Sequence, residues 1–182
     1  LENHCHYYID FLLQREDALS SAQMYIARDE IRPELDNLRA AVHWATTHLS
    51  VEQMRRVLVV LSAFYVVHGW YEGKDALQDI ARVRRDSLSS RGTSDLLRDA
   101  VYVSTRAHQA FFLCNMGQSK ESDELSKECL QPLQELGLTL ELSECIQNLG
   151  VNASFRGEYE RAIELLESAI LIGRDCDFFA WP

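Results

Sequence analysis

The stretch NLGVNASFRGEYERAIELLESAI, residues 148–170, constrains the fold of this chain more than any other. Ile146, Leu149, Gly150 and Ala153 fall at i, i+3, i+4 and i+7. After a break at Gly157, the residues Tyr159, Ala162, Ile163, Leu166, Ala169 and Ile170 follow the same period. That spacing puts each set on one face of a helix. Two helices with one apolar stripe each, joined by a glycine turn, hide both stripes by folding against each other. Small residues at Gly150 and Ala162 let the backbones come close, and the larger ones fill the space between. The stretch predicts an antiparallel helical hairpin.

The same plan recurs 40 residues upstream, where Gly117 matches Gly157, Ala110 matches Gly150, Ser122 matches Ala162 and Cys129 matches Ala169. A third version surrounds Gly69, with Ser62 before the turn and Tyr71 after it. Hairpins repeated on one plan stack on their neighbours and bury a continuous core, the logic of a solenoid array. Gly117, Gly150, Gly157, Tyr159, Ala162 and Ala169 are the residues assigned to repeat packing.

The rest of the chain also reads as helix. Expected helices cover 1–14, 17–28, a stretch opening at Pro33 with a stripe of Leu35, Leu38, Val42, Ala45 and Leu49, then 51–68, 73–89, 95–116, 119–136, 139–156 and 159–174. Pro33 suits a first helical turn, where its missing N–H costs nothing, and Gly137 suits a C-terminal cap. SSRGTSD, at 89–95, is the clearest flexible connection. With only three Pro and eight Gly in 182 residues, a turn-rich β fold is disfavoured. The division expected is 1–50 for N-terminal helices packing on the array, 51–92 for a degenerate hairpin and 93–182 for two hairpins. FFAWP, at 178–182, reads as the start of another repeat, so the array is expected to continue and the chain to be part of a longer protein.

Lys and Arg number 18 against 28 Asp and Glu, a formal charge of −10 that repels phosphate backbones and argues against direct nucleic-acid contact. Arg82, Arg84 and Arg85 read as a solvated helix face. VLVVLSAFYVV, at 57–67, is too short to span a bilayer and reads as a buried core helix. Cysteines at 5, 114, 129, 145 and 176 are odd in number, widely spaced and without a CxxC pair. That usage fits reduced thiols in the cytoplasm, several packed as small hydrophobes.

Residues 148–170 closely resemble a tetratricopeptide repeat, with the small residue at Gly150, the turn at Gly157, then Tyr159, Ala162 and Ala169. The 40-residue spacing resembles the longer-helix variety of these repeats. A second resemblance runs through HCHYYIDFL (4–12), ELDNLRAAVHWA (34–45) and HGWYEGKDAL (68–77). These look like the helical region following the nucleotide-binding and winged-helix modules of large bacterial signal-transduction ATPases, many of them transcriptional regulators. The resemblances imply an all-α fold, a right-handed superhelical stack of antiparallel hairpins. They imply a role in binding a protein, a peptide or a small inducer, in contact with other domains of a parent protein. The chain itself contains no GxxxxGK[ST] phosphate loop.

Reaction chemistry is not in evidence. His4 and His6 form an HxH, but i, i+2 spacing puts them on different helix faces and no Cys, His or Asp cluster lies beside them. His43, His48, His68 and His108 are scattered. Cys114, Cys129 and Cys145 lie on or beside apolar stripes, unlike an activated nucleophile. No catalytic residue, metal or cofactor is therefore assigned. The first helix of each hairpin lines the concave side of such an array. By the repeat register that places Glu144, Gln147, Val151, Ser154 and Phe155 on it from one hairpin, and Ser104, Ala107, Phe111 and Cys114 from the one before. Phe111 and Phe155 are the expected anchors. Val151 stands where the carboxylate-clamp type of these domains would carry Asn, which argues against capture of a partner's C-terminal tail. An uncapped apolar end would also allow a homodimer.

Overall fold

The computed structural model describes residues 2–92 and 95–174. Thr93 and Ser94 of the SSRGTSD connection, Cys176 and the FFAWP segment lie outside the described residues. Every described element is helical, and none of the helices is long and apolar enough to cross a membrane. The described residues fall into two compact units, one on each side of the 93–94 connection.

The N-terminal unit contains α1 (Glu2–Leu13), α2 (Glu16–Leu19), α3 (Met24–Ile31), a 3-10 turn at Arg32–Glu34, α4 (Leu35–His48), α5 (Val51–His68) and α6 (Trp70–Ser90). The single helix expected over 17–28 is broken. Ser20 Oγ donates to the Glu16 carbonyl at 3.1 Å, and Ser21 Oγ donates to the Ala18 carbonyl while accepting from the Gln23 amide. Short hydroxyl side chains thus satisfy the backbone locally and compete with the helical ladder. Pro33 sits in the 3-10 turn that leads into α4.

α5 is the centre of this unit and packs against α1, α2, α3, α4 and α6. The N-terminal unit takes in both the 1–50 helices and the 51–92 hairpin. A capping box starts α5: Ser50 Oγ accepts from the Gln53 amide at 3.2 Å, and Gln53 Oε1 accepts from the Ser50 amide at 3.1 Å. Met54, Val57, Leu58, Leu61, Phe64 and Tyr65 are buried around it, as the near-continuous apolar run requires. Along α4, Leu38, Val42 and Ala45 are buried while Leu35 and Leu49 are only partly covered. α6 starts at Trp70, earlier than position 73, because Gly69 alone joins α5 to α6. Its φ of 172° is extended backbone.

The C-terminal unit has a 3-10 turn at Leu96–Arg98, then α7 (Ala100–Asn115), α8 (Ser119–Glu135), α9 (Thr139–Phe155) and α10 (Tyr159–Gly173). α7 begins later than the expected 95, at a cap where Asp99 accepts from the Tyr102 amide at 2.9 Å. The three turns that follow are built alike. Gly117, Gly137 and Gly157 have φ of 74°, 69° and 80°, the left-handed region open to glycine. After each, the next amide reaches back to the last helical turn: Gln118 to Leu113 O at 2.9 Å, Leu138 to Leu133 O at 2.9 Å, Glu158 to Ala153 O at 3.0 Å. This is the Schellman closure, repeated at 20-residue intervals.

In this unit each helix packs on the next, α7 on α8, α8 on α9 and α9 on α10, while α7 also packs on α9. The core holds Val103, Ala107, Ala110, Leu113, Leu125, Cys129, Leu133, Leu138 and Cys145. Ser122, the residue in register with Ala162, donates its hydroxyl to the Ala110 carbonyl at 3.0 Å. In the last hairpin Gly150 makes room for a side chain. A Cβ there would lie 2.9 Å from Leu166 Cγ and 3.3 Å from Leu165 Cβ.

Candidate functional site

The first helices of the two hairpins, α7 and α9, face each other along a polar seam. Ser104 on α7 is fully buried and donates its hydroxyl to Glu141 Oε1 on α9 at 2.6 Å; Glu141 is itself fully buried. One turn along, His108 Nδ1 lies 3.2 Å from Glu144 Oε2, with 3% and 12% of the two side chains exposed. Further on, the Cys114 thiol contacts Asn152 Oδ1 at 3.4 Å. Asn152 Nδ2 in turn donates to Asp123 Oδ1 on α8 at 2.8 Å. Arg156 closes the row, 3.1 Å from Asp123 and 2.7 Å from Glu158. Buried polar groups are costly unless paired, so a row of them in contact fixes one arrangement of the two helices.

The electrostatics agree with this layout. The hydrogen bond from Arg156 holds the Glu158 carboxyl below its ordinary range, and the same contact raises Arg156. Burial pushes the Cys114 thiol up to about 11, which keeps it protonated and unreactive near neutrality. Cys145, hydrogen-bonded to Cys129 and buried, is also raised.

The residues assigned to a concave face separate into two groups. Ser104 and Ala107 are fully buried, and Cys114 nearly so, so these three hold α7 against its neighbours and offer no surface. Glu144 has little of its side chain in water, Phe111, Val151 and Ser154 are half-buried, and Gln147 is exposed. Phe155 is 75% exposed, the most open large apolar side chain among the described residues. Phe111 meets Phe112 edge-on, ring centroids 5.4 Å apart. The Ser154 hydroxyl donates to Val151 O at 2.7 Å and so is satisfied within its own helix.

Of the residues assigned to packing, Gly117 and Gly157 make left-handed turns, and Gly150, Ala162 and Ala169 are buried. Tyr159 is the exception. It is 68% exposed, because as the first residue of α10 it stands directly after the turn that joins the two helices. α10 also exposes Ile163, Ile170 and Leu171.

The sequence reading missed Glu141 and Asn152, and left His108 without a role. The signal was present as polar residues at 141, 144, 148 and 152, spaced to one face of α9. Among the described residues no group of three His, Cys, Asp or Glu is placed to hold a metal ion. The HxH residues make ring contacts, His4 with Tyr8 and His6 with Trp44, each at 4.8 Å. Compared with known proteins, the chain matches no family profile, no curated protein and no solved structure.

Proposed function

We propose that this chain is the sensing or scaffolding array of a larger cytoplasmic regulator, a right-handed stack of tetratricopeptide-like hairpins that binds a protein or peptide segment, or a small inducer, along α7 and α9. The observation that carries the reading is α9. Its inner row is locked to α7 through Glu141 and Glu144, while Gln147, Val151, Ser154 and Phe155 beside that row keep open surface. A rigid helix pair presenting an exposed aromatic is a suitable docking face, since aromatics supply much of hot-spot energy. The repeated left-handed turns at 20-residue intervals support an array of like hairpins.

In this reading the binding step is not catalytic. A ligand preferring one arrangement of the hairpins shifts the population of arrangements, and the parent protein's other domains respond. The regulator assignment, transcriptional in kind, rests on the likeness of ELDNLRAAVHWA to helical regions of signal-transduction ATPases. It is tested by the coding sequence upstream, which on this reading encodes an ATPase and a winged-helix module. A free-standing adaptor has neither. A second reading is self-assembly, favoured by Ile163, Ile170 and Leu171, each more than half exposed on α10. Sedimentation over a hundredfold range of concentration separates the two: the scaffold reading expects one species, self-assembly a rising weight-average mass.

A further inference from the structure

Within the N-terminal unit, α4, α5 and α6 line a half-open cavity of about 410 Å³, a volume suited to a small organic ligand. Its floor is apolar. Leu38 and Val42 come from α4, Leu61 from α5 and Ile80 from α6, all of them buried core side chains. Ala76 lies among the lining residues of α6, and its single methyl leaves the space between helices open.

The rim is acidic on one side. Glu72, Asp75 and Asp79 stand at i, i+3 and i+7 on α6, so they share one face. Asp75 pairs with Lys74 at 3.0 Å and Asp79 with Arg82 at 2.9 Å, but all four side chains are on the surface or its margin. Such pairs contribute little and exchange readily. On the α4 side stand Arg39 and His43. Arg39 is already engaged, with Asp36 at 3.3 Å and with the buried Tyr65 hydroxyl. Arg28, Arg32 and His68 lie beyond Glu72 in a separate polar groove, so the acidic contact rests on Asp75 and Asp79 as much as on Glu72.

We propose that this cavity is a binding site for a small amphipathic cation, an aromatic or short aliphatic body ending in a primary ammonium group. The body covers Leu38, Val42, Leu61 and Ile80, and the ammonium group donates to the carboxylates of Asp75, Asp79 and Glu72. Charge complementarity selects the sign. An anionic ligand would meet one guanidinium, Arg39, while facing three carboxylates, whereas an ammonium gains charge-assisted hydrogen bonds from that majority. The site lies wholly in the N-terminal unit, so its failure leaves the α7–α9 assignment untouched, and the converse holds.

The test compares 2-phenylethylammonium with its near-isosteres 2-phenylethanol and 3-phenylpropanoate, titrated into the whole chain and followed by amide chemical shifts. Expected are saturable shifts confined to α4, α5 and α6, with the ammonium bound at least about tenfold tighter than the alcohol and the carboxylate not saturating. Asp75→Asn with Asp79→Asn changes only exposed side chains and, leaving Glu72 alone to meet the ammonium, should remove most of its advantage over the alcohol. Ala76→Phe should fill the cavity and remove binding of both; if it unfolds the protein, the double Asn variant decides alone. Absence of saturable binding, carboxylate binding as tight as the ammonium, or unchanged ammonium affinity in the double Asn variant would each overturn the proposal.

Discussion

The His108 imidazole on α7 meets the Glu144 carboxylate on α9 at 3.2 Å, with almost none of either side chain in water. Together with Ser104 and Glu141 it makes the contact between successive hairpins polar, where simple stripes of Leu and Ala would have joined them. A buried ionisable pair is weak evidence for stability but a strong device for register, because sliding one helix leaves both partners unpaired.

That device should appear as coupling. His108→Ala and Glu144→Ala are each expected to cost about 1–3 kcal/mol, the range for leaving a buried polar group without its neighbour. The double variant should cost clearly less than their sum. Urea unfolding of the four proteins measures this, and additivity within about 0.5 kcal/mol would mean the two side chains do not act together.

The turns make a sharper contrast. Gly117→Ala and Gly157→Ala place a Cβ at φ of 74° and 80°, which should cost about 1–2 kcal/mol each although no neighbour is crowded. Gly69→Ala escapes that strain, since its φ of 172° is extended, and requires only that the flexible Glu72 carboxylate swing aside. Denaturation midpoints should fall for the first two and shift less for the third.

Gly150 tests close packing. An alanine gains about 1 kcal/mol of helix propensity but meets Leu166, so Gly150→Ala should come out near neutral or slightly destabilising. Gly150→Val adds branching against Leu166 and Leu165, and overpacking of that kind should cost about 1–3 kcal/mol. Equal stability of the Val variant and the parent would show that α9 and α10 are not closely apposed there.

The Cys114 thiol sets a window in alkaline solution. Its pKa rises from an ordinary 9.0 to about 11 on folding, so the folded chain holds the proton more tightly than the unfolded one. The resulting stabilisation is complete below pH 9 and is lost as pH climbs toward 11. Cys114→Ala should flatten the fall in stability over that interval. In a Cys176→Ser background, Cys5, Cys114, Cys129 and Cys145 are all buried free thiols. None of them should react quickly with a thiol reagent at pH 8 until the protein is unfolded.

Local patterns were legible in the sequence, and contacts across the chain were not. The hairpin around Gly157 could be read because helical period, small residues and a turn glycine all lie within 23 residues, and the 40-residue offset carried the reading to Gly117. The break at Ser20 and Ser21 escaped notice because side-chain hydroxyls competing with a helix leave the apolar period unchanged. Ser104 and Ala107 were read as surface because register gives a helix face, not the depth at which a neighbouring helix covers it. Glu141 was passed over because its partner Ser104 lies 37 residues away. Tyr159 fits the repeat pattern, yet its place at the start of α10 leaves it in solvent.

The most direct test of the docking face is photo-crosslinking in the cells the protein comes from. A benzophenone side chain replaces Phe155 or Val151 on α9 in one pair of proteins, and Tyr25 or Tyr71, exposed on the N-terminal unit, in another. The account predicts one defined adduct from positions 155 and 151 that is missing from 25 and 71 and is lost on adding Phe111→Ala. No adduct from α9, or the same adducts from all four positions, would contradict it.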